Sequence, residues 1–199
     1  MTLRLFAAAL LLSATAATPV AAQFQSKSYK FLQAVKDGKG QDVVDMLDTP
    51  GSTIINTKDP TSGEGALHII VKRGDQVYLR YLLSRGADPN LRDGRGNTPL
   101  LLAVQYGQTD LIPVLLEGNA NPNLGNSGGE TPLIRAVQRR DVTMVRALLA
   151  AKANPDQSDS VAGMSARDYA HADDRSPVIA KMIDDVPKGS ARATAGPKF

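Results

Sequence analysis

Thr98-Pro99-Leu100 and Thr131-Pro132-Leu133 are one tripeptide written twice, 33 residues apart. Each opens a longer unit in matching register, GNTPLLLAVQYGQTDLIPVLLEGNANPN over residues 96–123 and GETPLIRAVQRRDVTMVRALLAAKANPD over 129–156. A third copy, GEGALHIIVKRGDQVYLRYLLSRGADPN over 63–90, puts Gly65 in the Thr position, again 33 residues ahead of Thr98. Self-similarity at a fixed period of this length marks a chain of stacked supersecondary units, none of which buries its apolar face alone.

Each residue type has a physical task. A Thr hydroxyl can accept from a free backbone N–H at a helix start, and Pro suits the first helical position, where no N–H is needed. Leu100 and Ala103 fall three apart on one helical face, and the small Ala lets a neighbouring helix approach. Leu82-Leu83, Leu115-Leu116 and Leu148-Leu149 sit late in a second helix and face the stack. The residue after that helix needs a left-handed backbone, which suits Gly first and Asn next. That position is Gly86, Asn119 and Lys152 in turn, so the cap weakens toward the C-terminus.

The three units resemble the ankyrin repeat, whose pattern runs G-x-T-P-L-H-x-A-x-x-x-G-x-x-x-x-V-x-x-L-L-x-x-G-A-x-x-N. The resemblance implies an all-α solenoid of helix-turn-helix units with short hairpin-like loops. Two degenerate units flank the three. Upstream, Tyr29 to Asn56 places Ala34 in the Ala slot, Gly38 in the mid-repeat Gly slot, Met46-Leu47 as the Leu pair and Asn56 as the terminal Asn. About three residues are inserted there around Thr49-Pro50-Gly51. Downstream, Ser165 takes the Thr slot, Ala170 the Ala slot and Met182-Ile183 the Leu pair. Terminal repeats depart from the pattern because one face meets water. Five units are thus expected over 27–186, at about 29–60, 61–93, 94–126, 127–160 and 161–186.

The ends read differently. Arg4, the apolar run Leu5 to Leu12 and Val20-Ala21-Ala22 make a signal-peptide pattern over 1–22, with cleavage expected after Ala22. A retained anchor is the competing reading, but the second half of the stretch is Ala, Thr and Ser with Pro19, too weakly apolar for a span. The pattern is that of a bacterial protein released into the periplasm. With no cysteine there is neither a disulfide nor the acylated cysteine of a lipoprotein. Residues 187–199 are small, polar and without periodicity, the composition of a disordered tail. Removing residues 1–22 takes away Arg4 and no acid, which lowers the formal net charge from +3 to +2. That gives no footprint for nucleic acid.

Chemistry is sparse. His68 falls where the ankyrin pattern has its own His, and the resemblance gives it a structural role at a helix start. Its usual Thr partner is Gly65 here. His171, near Asp173 and Asp174, reads as solvated surface on a terminal unit rather than as a metal or acid/base site. The serines lack a G-x-S-x-G elbow, and Gly125 to Gly129 lacks the Lys-Ser/Thr of a phosphate loop. No catalytic residue, metal site or cofactor is expected. The chain reads as a non-enzymatic monomer that binds another protein.

The resemblance also implies where a partner sits: on the loop tips and the exposed side of each first helix, which together form a concave groove. The loop tips include Glu64, Gly94, Arg95, Asn97, Ser127, Gly128 and Glu130. The groove slots are Lys36 and Asp37, Lys72 and Arg73, Gln105 and Tyr106, Gln138 and Arg139, then Ala172 and Asp173. Arg140 adds a cation where the repeat has Gly. An aromatic flanked by Arg has the composition of a hot spot. Lys72, Arg73, Arg95, Asn97, Gln105, Tyr106, Gln138, Arg139 and Arg140 are therefore the candidate contacts, and an acidic protein surface is the expected partner. A small-ligand binder or envelope enzyme on the same frame is the alternative.

Overall fold

The computed structural model describes residues 26–188. The expected export signal, and all but the first two residues of the expected tail, lie outside them. Ten α-helices follow one another in pairs among the described residues: α1 Lys27–Asp37 and α2 Gly40–Asp48, α3 Ala66–Arg73 and α4 Gln76–Ser84, α5 Pro99–Tyr106 and α6 Leu111–Glu117, α7 Pro132–Gln138 and α8 Val142–Ala150, α9 Ala166–Ala172 and α10 Pro177–Asp184. A 3-10 turn, Ile54–Asn56, follows the insertion in the first unit.

The helix starts are where the repeated tripeptide acts. The Thr98 hydroxyl accepts from the Leu101 N–H, and the Thr131 hydroxyl from the Ile134 N–H, both at 3.2 Å. Pro99 and Pro132 occupy the first helical positions. Gly65 fills this slot because space forbids more: a Cβ there would lie 2.5 Å from Leu91 and 3.2 Å from the Thr57 carbonyl. The first unit departs from register, since Ser26 caps α1 and Tyr29 lies inside the helix.

The helix ends show the backbone the spacing requires. Gly38, Gly74 and Gly107 turn left-handed after α1, α3 and α5, and Arg140 takes that conformation after α7 at φ 58°. After the second helices the left-handed residues are Gly86, Asn119 and Lys152, the last at φ 64°.

The first helices stack in the order α1, α3, α5, α7, α9, and the second helices in the order α4, α6, α8, α10 behind them. Leu82, Leu115 and Leu148 are fully buried between the layers, and each is worth about 1.5–3 kcal/mol of burial. In α10 the register moves by one, so that Ile183 rather than Met182 is the fully buried member of the pair.

Two rows of hydrogen bonds run along the stack. In one, the terminal Asn of each of the first three units reaches the left-handed turn of the next: the Asn56, Asn90 and Asn123 side-chain oxygens accept from the N–H groups of Asp88, Asn121 and Asn154 at 2.6–2.8 Å. Their amide nitrogens donate to the carbonyls of Gly86, Asn119 and Lys152. In the other row the loop tips join directly, Gly94 N–H to the Ser62 carbonyl, Ser127 N–H to Arg95 and Ser160 N–H to Gly128, at 2.8–3.0 Å.

The last unit closes the stack with a buried arginine. Arg167 stands two residues after the Ser165 cap, the slot that holds Leu100 and Leu133 in the central units, yet it is buried. Its guanidinium donates to the Asp156 and Asp184 carboxylates and to the Ile183 and Val186 carbonyls, the last two at 2.9 Å each. A cation on the free carbonyls of a helix end also complements the helix dipole. Arg167 thus ties α9 to the C-terminal end of α10.

Candidate partner-binding groove

The loop tips owe their shape to one acidic or amide residue per loop. Asp59, Asp93, Asn126 and Asp159 each turn a side-chain oxygen back onto backbone N–H groups of their own loop: Thr61 and Ser62, Arg95 and Asn97, Gly128 and Glu130, then Val161, Ala162 and Gly163. Such turns favour the ionised acid, and the Ser62 and Thr61 N–H groups hold the Asp59 carboxyl below its ordinary range. For Asp159 the Tyr169 hydroxyl, 2.7 Å away, is the larger cause of the same lowering.

His68 joins this loop system to the helices. It is fully buried at the start of α3. Its Nδ1 accepts from the Gly65 N–H at 3.1 Å, so Nε2 carries the proton and donates to the Asn97 carbonyl at 3.0 Å. The imidazole therefore bonds the backbone of the residue in the Thr slot and reaches into the next loop. Burial pushes its pKa below the ordinary histidine value. Asp168 does the comparable task in the last unit, where its carboxylate accepts from the Ser165 N–H at 2.8 Å. His171 pairs with Asp184 at 3.0 Å.

All the candidate contacts except Arg139 divide among three clefts. Lys72, Arg95, Asn97, Gln105 and Tyr106 line one of about 410 Å³, with Thr61, Ser62, Glu64, Asp93, Gly94 and Leu102. Arg73 lines a second with Val44, Val77, Tyr78 and Tyr81. Gln138 and Arg140 line a third with Tyr169, Asp173 and Arg175. The single cationic face expected around Tyr106 is not what the register produces.

The reason is that most of these cations are used internally. Lys72 pairs with Glu64. Arg73 donates to Asp75 at 2.8 Å and to the Val35 carbonyl at 3.0 Å, reaching back over Gly38. Arg140 pairs with Asp173 across the unit boundary at 2.5 Å. Arg139 reaches back over Gly107 and donates to the Gln105 carbonyl at 3.1 Å, a bond that leaves its charge uncancelled. Asn97 is a correction: at 4% exposure it does not offer a contact surface. Its amide donates to Asp93, and its oxygen accepts from Gln105 and Asn126, which fixes three consecutive pieces of the groove wall. Tyr106, by contrast, is 54% exposed on the last turn of α5.

A family model described as Ankyrin repeats (3 copies) matches residues 31–126 and 67–159, well over half of the chain. The chain belongs to the ankyrin-repeat family. A putative ankyrin repeat protein of Acanthamoeba polyphaga mimivirus is 37% identical over 79 residues, 40% of this chain and 11% of its own. A putative ankyrin repeat protein of Fowlpox virus is 39% identical over 64 residues, 32% of this chain and 18% of its own. The oxysterol-binding protein homolog 1 of Saccharomyces cerevisiae is 41% identical over 56 residues, 28% of this chain and 5% of its own. The chain therefore spans under a fifth of the length of these relatives. Ankyrin repeats generally mediate protein–protein interaction, and no helix among the described residues is long and apolar enough to cross a membrane.

Proposed function

We propose that this ankyrin protein is a non-catalytic binding module, exported to a bacterial periplasm, that holds one protein partner against the loop tips and the exposed ends of its first helices. Tyr106 carries the reading. It is a large aromatic left half exposed in the middle unit, in the cleft between the loops of Asp59 and Asp93, where its neighbours in the repeat row, Arg73 and Arg139, fold back onto the stack. Exposed aromatics at the centre of a polar rim are the usual energetic anchors of an interface. The partner presents an acidic surface, drawn by Arg95 and Arg139.

Tyr106→Ala is expected to weaken binding of the partner by about 2 kcal/mol or more, read by calorimetry, while changes at the rim act mainly on salt dependence. Unchanged affinity for Tyr106→Ala would move the interface elsewhere. Export is supported by the Arg4, Leu5–Leu12 and Val20-Ala21-Ala22 pattern. N-terminal sequencing of periplasmic material should begin within a few residues of Gln23, and an intact Met1 in the membrane pellet would contradict it.

A further inference from the structure

In the cleft beside Tyr106 the carboxylates of Asp93 and Glu64 and the Asn97 amide oxygen are already engaged, and two donors are free. Asp93 takes the N–H groups of Arg95 and Asn97 and the Asn97 amide. Glu64 takes the Lys72 ammonium, and the Asn97 side-chain oxygen takes the amides of Gln105 and Asn126. Against these, the Arg95 guanidinium and the Tyr106 hydroxyl have no partner among the described residues, although both residues are exposed and line the same cleft. Beyond Tyr106, Arg139 keeps its positive charge because it bonds only a carbonyl.

Resting on the groove reading above, we propose that this cleft is a carboxylate pocket, which takes one Asp or Glu side chain from a surface loop of the protein partner. A guanidinium offers a planar fork of N–H groups that matches the two oxygens of a carboxylate, and the charge-assisted bonds so formed are about twice as strong as neutral ones. The Tyr106 hydroxyl supplies a further donor from α5. One side chain, rather than an extended polyanion, is what the charges fit: Lys72 and Arg73 are already paired with Glu64 and Asp75, and Arg140 shares Asp173 with Arg175. The cleft, about 410 Å³, lies at the small end of the roughly 300–1,000 Å³ typical of ligand pockets. The loop that carries Arg95 is held from both sides, by its own carbonyl to Ser127 and by Gly94 to Ser62. The guanidinium is thus presented on a fixed backbone.

Short linear peptides of random sequence, displayed on phage and selected on the immobilised mature protein, supply the probe. The wild type is expected to enrich peptides with Asp or Glu at one fixed position. An amidated synthetic copy of the best peptide, which has no terminal carboxylate to compete, should lose at least about tenfold in affinity with Arg95→Glu. It should lose as much when its own acid becomes the matching amide, and the two losses should not add. The Arg95 side chain has no internal partner, so unchanged thermal melts verify that the variant is folded. Peptides that keep their affinity for Arg95→Glu and lose it for Tyr106→Ala overturn the carboxylate pocket and leave the groove standing. Peptides indifferent to both substitutions, or a selection that enriches nothing, contradict the pocket and the groove together.

Discussion

Lys152 holds φ at 64°, in a region where a Cβ crowds the following carbonyl, while Gly86 stands in the same slot two units earlier without that cost. Its side chain is exposed and its carbonyl takes the Asn123 amide. Lys152→Gly keeps that backbone bond and removes the crowding. It should raise stability by about 0.5–1 kcal/mol in urea melts, and a less stable variant would contradict the left-handed assignment. This conformation was legible from spacing alone, because the period carries Gly86 onto Asn119 and Lys152. The fates of Arg73, Tyr106 and Arg139 were not. They share one slot, but whether a long side chain folds back depends on the glycine behind it and on an open carbonyl, which are properties of two units at once.

Among the elements, the terminal Asn shows what a repeat pattern leaves unsaid. Its position is visible in Asn56, Asn90 and Asn123, but its task is a two-bond clasp on the turn of the following unit. Asn90→Ala removes the bonds to the Asn121 N–H and the Asn119 carbonyl between the second and third units. At about 0.5–1.5 kcal/mol per bond the loss should be about 1–3 kcal/mol in urea melts, and a change within a few tenths would mean that water replaces the clasp without cost. In the fourth unit Asp156 stands at this slot and accepts from Arg167 at 2.7 Å. Arg167 itself was overlooked because the pattern asks for Leu there. A charged residue in a core slot is itself a signal, since a buried guanidinium demands carboxylates or carbonyls around it.

For the molecule as a whole, the stack and its order could be read in the sequence, and the grouping of the groove could not. His68 gives the stack a pH dependence that belongs to one junction. Its folded pKa lies below the unfolded value of about 6.5, because burial disfavours the cation and the Gly65 N–H needs a bare Nδ1. The unfolded chain therefore binds a proton first, and the stability His68 contributes, complete above about pH 6.5, is lost as pH falls toward its folded pKa. Urea melts should show this slope in the wild type, and His68→Leu should be less stable at pH 8 yet flat from there to about pH 5. Asp59, Asp93, Asp159, Asp168 and Asp184 are shifted down as well, so their loss comes separately, below about pH 4. An identical slope in His68→Leu would assign the acid sensitivity elsewhere.

The groove itself is tested most directly by photo-crosslinking in the living cell. A benzophenone amino acid replaces Tyr106 in one strain and Arg146, exposed on the outer helix α8, in another. The account predicts a discrete protein adduct from position 106 that is absent from position 146. An adduct from position 146 with none from position 106 would contradict it.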